Sequence, residues 1–147
     1  MGVVVYIVGR KPLEIQTITT PFIWNITVNA YLIKNESGFI LIDTAKAGQR
    51  ATLLRELEGA GCHPGDLKLI ILTHGDFDHC GNANYLRTKY DAPIAMHADD
   101  LGMVRDGNMF WNRKQPNIIV NSFMKLLFRL SQSDRFTPDF YLDEDRD

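Results

Sequence analysis

Side chains that bind metal ions are concentrated in one short segment of the chain. Residues 73–81 read Thr-His-Gly-Asp-Phe-Asp-His-Cys-Gly, which places four such side chains within six residues: His74, Asp76, Asp78 and His79. Imidazole and carboxylate groups are ligands that suit zinc, iron or manganese. The pattern therefore predicts a metal site with these four residues as its ligands.

A simpler interpretation gives the two aspartates a role in the backbone alone. Asp76 and Asp78 lie between a predicted strand and a predicted helix, where Asp commonly forms a turn or caps the helix. Four ligand-type residues in such a short segment favour the metal site over this interpretation. The preceding residues 67–72 are apolar except for Lys68, which is typical of a strand buried on both faces. Open α/β sheets place their sites at the carboxyl ends of such strands.

The elements that must position the motif fall into two regions. In the first, strands are predicted over residues 3–8, 15–19, 22–34 and 39–42, the third of them because apolar and polar residues alternate along it. In the second, helices are predicted over residues 49–61, 82–90 and 117–130, a strand over 67–72, a short strand over 93–96 and a helical turn over 99–104. The order predicts an α+β fold with a β-α-β unit across residues 39–72.

The composition and charge of the chain indicate which classes of protein it can belong to. The chain has 147 residues, of which 45% are hydrophobic and 23% are charged, and its net charge is −2. These values are typical of a single globular domain. No basic surface for nucleic acid is expected at this charge. Two cysteines, with no recognisable signal peptide or membrane-spanning segment, predict a cytoplasmic protein without a membrane partner.

Two segments resemble the metallo-β-lactamase superfamily. Residues 72–81 are similar to its His-x-His-x-Asp-His signature, with Asp76 in place of the second His. Residues 29–33 and the following Leu-Ile-Asp-Thr at 41–44 are similar to its first hairpin, which usually ends in Ile-Asp-Thr-Gly. Ala45 stands in place of that Gly. The resemblance covers about residues 26–105.

The resemblance implies the αβ/βα sandwich of that superfamily, with this chain as its N-terminal half. It also implies a pair of metal ions, the first held by His74 and Asp76 and the second by Asp78 and His79. A metal-bound hydroxide would be the nucleophile, and Asp78 would be the catalytic residue that orients it. Asp43 would position one of the ligands without touching the metal. One or two zinc ions are the expected cofactor, with iron or manganese as alternatives.

The expected function is a metal-dependent hydrolase. Its small-molecule substrate would carry an ester, lactone, lactam, thioester or phosphodiester bond, because one fold hosts many reactions. A di-iron oxidoreductase stays open, since that branch of the superfamily also carries a carboxylate at the position of Asp76. A truncated or degenerate domain without activity is the third alternative. His97 is the only histidine after His79, and nothing near it resembles the later ligands of the superfamily.

An incomplete domain would leave part of its sheet uncovered. Residues 1–147 are interpreted as one domain that is incomplete at its C-terminal end, because residues 136–147 contain no predicted closing element. The apolar residues expected on the open face are Val3, Val5, Ile7, Val28, Ala30, Leu32, Ile40 and Ile42. Large apolar patches mark association surfaces. The chain is therefore expected to form a homo-oligomer or to lack its C-terminal half.

Overall fold

A computed structural model describes residues 2–5, 13–114, 117, 119, 122 and 134–142. Within these residues seven strands form one sheet in which the order along the chain is also the order in space. The strands are β1 (Gly2–Val5), β2 (Leu13–Ile23), β3 (Ile26–Asn35), β4 (Gly38–Ile42), β5 (Leu67–Leu72), β6 (Ile94–His97) and β7 (Phe140–Leu142). Strands β1 to β4 pair antiparallel, and β4 to β7 pair parallel.

In the part of the chain from 13 to 114 that the structure describes, four short α-helices follow the antiparallel part of the sheet. They are α1 (Arg50–Gly59), α2 (Phe77–Cys80), α3 (Ala83–Tyr90) and α4 (Leu101–Arg105), with 3₁₀ turns at Ala47–Gln49 and Ala98–Asp100. The predicted β-α-β unit is confirmed as β4–α1–β5, and β5 has the predicted bounds. Most of the helix predicted over residues 117–130 lies outside the described residues. None of the helices that the structure describes is long and apolar enough to cross a membrane.

The prediction of a single strand over residues 22–34 is wrong. The chain reverses at Trp24 and Asn25, so this segment contributes to two antiparallel strands, β2 and β3. Trp24 has a positive φ of 49° and its side chain is 96% exposed. A two-residue turn alone would pair even-numbered with odd-numbered positions, but a β-bulge near the end of β2 shifts the register by one residue, so that even positions pair with each other along β2 and β3. The alternation of apolar and polar residues therefore continues through the reversal and hides it.

The tail of the chain contains a strand that its sequence did not reveal. Strand β7 pairs parallel with β6, at the edge of the sheet. The carboxylate of Asp139 accepts a hydrogen bond from the backbone N–H of Ile94 at 2.8 Å, and the backbone N–H of Asp139 donates to the Ile94 carbonyl at 2.8 Å. Three residues are too few for periodicity to show, so the sequence predicted no strand in this segment, and β7 corrects that prediction. The incompleteness of the domain stays a prediction.

One face of the sheet packs against the helices and forms the core. The largest of its fully buried side chains are Ile18, Leu32, Leu41, Leu53, Leu57, Leu67, Ile70, Leu72, Leu86, Ile94 and Met96. They come from β2 to β6 and from α1 and α3. Burial of a side chain of this size contributes about 1.5–3 kcal/mol. This core holds β4, β5 and β6 side by side, so that their carboxyl ends meet at one edge of the sheet.

The opposite face of the sheet is only partly buried. Ile40 and Ile42 lie on it and are half-buried. The apolar face predicted from the sequence also included three residues of β3 that the structure buries in the core: Val28, Ala30 and Leu32. That part of the prediction is wrong, because the register of β3 with β4 places these three on the face toward the helices. Association of the chain with itself or with a missing half stays a prediction.

The turn after β4 adopts an uncommon backbone conformation. Asp43 and Ala45 have positive φ values of 60° and 54°. This region costs an L-residue about 1–2 kcal/mol, and glycine avoids that cost. The conformation accounts for the glycine that the similar superfamily turn usually carries at the position of Ala45.

Replacing Ala45 with glycine is therefore expected to raise the free energy of unfolding by about 0.5–1 kcal/mol. The gain is less than the full cost of the conformation, because glycine loses more backbone entropy on folding. Urea denaturation measures it. Ala51→Gly is the matched control, since Ala51 is an exposed residue within α1 and the change should destabilise by about 0.5–1 kcal/mol. Destabilisation by both substitutions would contradict the strain at Ala45.

Candidate metal centre

The His-Asp motif lies at the carboxyl end of β5. It begins with Thr73, directly after the strand, and continues through the four-residue helix α2. Gly81, at the end of α2, packs closely on the turn after β4. A Cβ atom there would clash with the backbone nitrogen of Ala47 and lie 2.8 Å from the Ala45 carbonyl oxygen. This close packing fixes the motif against the end of β4.

Asp43 connects the end of β4 to the motif. Its side chain is buried, and its Oδ1 accepts a hydrogen bond from the backbone N–H of Thr73 at 2.9 Å. Its Oδ2 accepts a second from the Thr73 hydroxyl at 2.7 Å and lies 2.9 Å from Nδ1 of His79. The sequence predicts Asp43 to position a metal ligand, and the structure places it against one of the predicted ligands.

This hydrogen-bond network determines which ring nitrogen of each histidine is available to bind a metal ion. The Thr73 hydroxyl has one proton and donates it to Asp43, so it accepts a hydrogen bond from Nδ1 of His74, 2.8 Å away. Nδ1 of His79 donates to the Asp43 carboxylate. In both neutral rings the proton is therefore on Nδ1, and Nε2 carries the lone pair that can bind a metal.

Each Nε2 atom faces one aspartate of the motif. Nε2 of His74 lies 3.3 Å from Oδ2 of Asp76, and Nε2 of His79 lies 3.6 Å from Oδ2 of Asp78. The two imidazole rings are neighbours, with centroids 4.0 Å apart. The structure therefore brings the four predicted ligands together as two adjacent His–Asp pairs.

The spacing within each pair fits a shared metal ion. Ligands at 2.0–2.1 Å from a tetrahedral zinc ion lie about 3.3 Å from each other, which is close to both observed separations. Among the residues that the structure describes, no group of three or more His, Cys, Asp or Glu side chains is arranged to hold a metal ion. The donors therefore fit a metal in type and in pairwise spacing, and further ligands would have to complete its coordination.

Asp76 also pairs with an arginine from a distant loop. Nη1 of Arg113 lies 2.8 Å from Oδ1 and 3.0 Å from Oδ2 of Asp76. Asp76 is the N-cap residue of α2, but within the described residues its side chain makes no capping hydrogen bond. The turn-and-cap interpretation therefore does not account for this side chain.

The electrostatic surroundings keep Asp76 ionised. Burial acts to raise the pKa of Asp76, but the hydrogen bonds from His74 and Arg113 outweigh it and lower that pKa below its ordinary value. The hydrogen bond to Asp76 in turn raises the pKa of His74, against the opposing effect of burial. Both shifts favour the charged form of the group, and a metal ion bound at Nε2 of His74 would take the place of the proton that faces Asp76.

Three residues of the site were given no role from the sequence. The Thr44 hydroxyl donates to the His79 carbonyl at 2.8 Å. Buried Asn82 donates to the carbonyls of Thr44 at 2.7 Å and Lys46 at 3.0 Å, which ties the start of α3 to the turn after β4. Thr44 lies in the turn that resembles the superfamily, so a signal for it existed. No local pattern points to Arg113, because it lies 37 residues from Asp76 in the chain.

Two other residues with side chains that can bind metals, Cys80 and His97, lie outside the pairs. Cys80 is buried, its thiol donates to the Gly75 carbonyl at 3.4 Å, and burial raises its pKa to about 12. Its thiol therefore stays protonated, and the side chain packs in the core. His97 ends β6, and its Nδ1 accepts a hydrogen bond from the backbone N–H of Asp99 at 3.2 Å.

The family of the chain follows from a comparison with known proteins. The model of the metallo-beta-lactamase superfamily matches residues 24–143. The chain therefore belongs to the metallo-beta-lactamase superfamily, which confirms the resemblance noted in the sequence. Members of this superfamily generally bind metal ions, commonly zinc.

Curated relatives match shorter segments. "Metallo-beta-lactamase domain-containing protein 1" of Homo sapiens is 49% identical over 45 residues, which are 31% of this chain and 17% of that protein. "Probable metallo-hydrolase YflN" of Bacillus subtilis (strain 168) is 32% identical over 79 residues, which are 52% of this chain and 30% of that protein. The chain spans less than a third of the length of either relative. The name of the first relative indicates the domain that it contains, and the name of the second indicates a probable metallo-hydrolase.

Solved structures confirm the fold. A metallo-beta-lactamase from Cronobacter sakazakii with a mutated HARLDQ motif has a TM-score of 0.66 and 17% identity, and the match covers 91% of this chain and 45% of that one. BJP-1, a subclass B3 metallo-beta-lactamase of Bradyrhizobium japonicum, has a TM-score of 0.63 and 20% identity, with 86% and 46% covered. The chain has the α+β fold of these proteins and matches part of their domain.

Replacing Asp43 with asparagine tests the central hydrogen bonds. The amide presents a donor where the carboxylate accepts hydrogen bonds from Thr73 and His79, so at least one buried donor loses its acceptor. The free energy of unfolding is expected to fall by about 1–3 kcal/mol, measured by urea denaturation without added metal. Asp106→Asn is the control, since Asp106 is exposed, and it should leave stability unchanged. Equal stability of Asp43→Asn and the unchanged protein would show that the network does not hold the motif.

Proposed function

We propose that the chain carries metal-binding residues of a metallo-hydrolase active site. His74 and Asp76 would hold a first zinc ion, and Asp78 and His79 would hold a second. The observation that carries the proposal is the orientation of the two histidines, whose Nε2 atoms each face a carboxylate oxygen at 3.3 and 3.6 Å. Membership of the superfamily supports the same chemistry.

The chain's own residues would prepare the site for hydrolysis. A divalent metal bound there would supply Lewis-acid activation of water. Asp43 and Thr73 hold the imidazoles in the orientation and tautomer that a ligand needs. Asp78 would orient the attacking water by accepting a hydrogen bond from it. Its side chain is 17% exposed, which leaves the carboxylate within reach of a solvent molecule.

The substrate is proposed only as a class. It would be a small molecule with an ester, lactone, lactam, thioester or phosphodiester bond, since the fold supports many hydrolytic reactions. The metallo-hydrolase and metallo-beta-lactamase names of the relatives and structural neighbours favour hydrolysis. The chain covers less than half the length of each of the two solved structures described above. The activity of the whole protein therefore belongs to this proposal.

An iron-dependent oxidoreductase is the second candidate. It is favoured by one observation, the oxygen donor of Asp76 beside His74 where the superfamily signature has an imidazole. Oxygen donors suit harder ions such as iron and manganese better than nitrogen donors do. Metal analysis of the purified protein by mass spectrometry separates the candidates, since zinc supports the hydrolase and iron supports the oxidoreductase. A chain that retains no metal and binds none on titration would be an inactive domain.

His79→Ala tests the proposed ligands directly. It removes one of the two protein ligands of the second metal, so zinc affinity is expected to fall by at least the roughly 10-fold to 100-fold that loss of an outer-shell partner costs. Calorimetric titration with zinc measures the change. His63→Ala is the control, because His63 is an exposed loop residue and its loss should leave the affinity unchanged.

Two results would contradict the proposal. Equal zinc affinity of His79→Ala and the unchanged protein would show that His79 is not a ligand. A similar loss of affinity in the two histidine variants would show that zinc binds to exposed imidazoles without a specific site.

A further inference from the structure

The loop before Arg113 is anchored on α4 and the turn that precedes it. The ring of Trp111 packs on Gly102, so closely that a Cβ atom at Gly102 would clash with it. The amide of Asn112 donates to the backbone carbonyl of Asp99 at 2.9 Å. These two contacts, on the residues immediately before Arg113, bring its guanidinium to the metal motif.

The guanidinium engages the whole carboxylate of Asp76. One nitrogen, Nη1, is within hydrogen-bond distance of both oxygens, at 2.8 and 3.0 Å. Oδ2 is also the atom that faces Nε2 of His74. A metal ion bound by Asp76 would therefore use an oxygen that Arg113 already contacts.

The charges around Asp76 give this contact a further effect. The site contains the carboxylates of Asp43, Asp76 and Asp78, where the superfamily signature has a neutral imidazole at the position of Asp76. The ion pair with Arg113 cancels the extra negative charge. It also places a positive group near the position of a divalent ion, which lowers the affinity for that ion.

We propose that Arg113 is the counter-cation of Asp76 and competes with a divalent metal for its carboxylate. The proposal rests on the proposed metal site and adds a residue that sets the affinity of its first position. Metal binding at Asp76 weakens the ion pair and changes the surroundings of the Trp111 loop. Arg113 is thus a positioning residue that acts on the metal through Asp76.

Zinc titration of Arg113 variants tests the competition. Arg113→Ala is expected to bind zinc about tenfold more tightly, because the metal no longer has to displace the charge-assisted hydrogen bonds that Arg113 donates to Asp76. Arg113→Lys keeps the charge and a single donor nitrogen, so its affinity should stay within about threefold of the unchanged protein. Arg105→Ala is the matched control, because Arg105 pairs in a similar way with Asp106 on an exposed part of the surface.

Two further measurements separate competition from a general effect of charge. In a protein that carries Asp76→Ala, the additional change Arg113→Ala should increase zinc affinity much less than it does when Asp76 is present, because the carboxylate for which Arg113 and the metal compete is gone and only the effect of the charge itself is left. In a Trp24→Phe background, Trp111 is the one remaining tryptophan of the chain. Its fluorescence should change on zinc addition when Arg113 is present, and less when it is replaced by alanine.

The outcomes distinguish this proposal from the proposed function. Unchanged or weaker zinc binding by Arg113→Ala overturns the competition, and so does equal tightening by Arg105→Ala. If zinc binding depends on His79 but not on Arg113, the result supports the proposed metal site and contradicts the proposed role of Arg113. If no variant binds zinc, the proposed metal site and the role of Arg113 both fall.

Discussion

The buried carboxylate of Asp43 is hydrogen-bonded to two residues that are distant in the chain: Thr73, 30 residues away, and His79, 36 residues away. A buried charge is costly unless hydrogen bonds satisfy it, and Asp43 obtains them from Thr73 and His79. The dependence is mutual, because the same bonds orient both histidines of the motif. Strands β4 and β5 are parallel neighbours, so the sheet itself brings the residues after their carboxyl ends together. The site therefore depends on the register of one strand pair.

The short helix α2 could not hold the motif in place by itself. Four residues form a single turn, and isolated helices of that length are unstable in water. Thr44 and Asn82 compensate by hydrogen bonding the C-terminal end of α2, and the residue that follows it, to the turn after β4. The close approach of Gly81 to that turn leaves little room for movement. The orientation of the His–Asp pairs is thus a property of the packed turn and not of the helix.

The sequence revealed what is encoded locally. The apolar run of β5 predicted its bounds, and the spacing of the motif predicted the four side chains that the structure brings together. The reversal at Trp24 was missed because a β-bulge beside the two-residue turn keeps the alternation of apolar residues in phase across both strands. Strand β7 was missed because its pairing with β6 lies in tertiary contacts. Arg113 was missed for the same reason, since its partner is 37 residues away.

The two departures from the superfamily pattern differ in how the fold accommodates them. Ala45 keeps the positive φ that a glycine would adopt, so the turn retains its shape and the cost is confined to the backbone of one residue. Asp76 introduces a charge, and a charge acts on every ionised neighbour. Arg113, which lies in a separate loop, forms an ion pair with this carboxylate. The effect of Ala45 is therefore confined to the turn in which it lies. The extra charge of Asp76 involves a second part of the chain and alters which ions the site can bind.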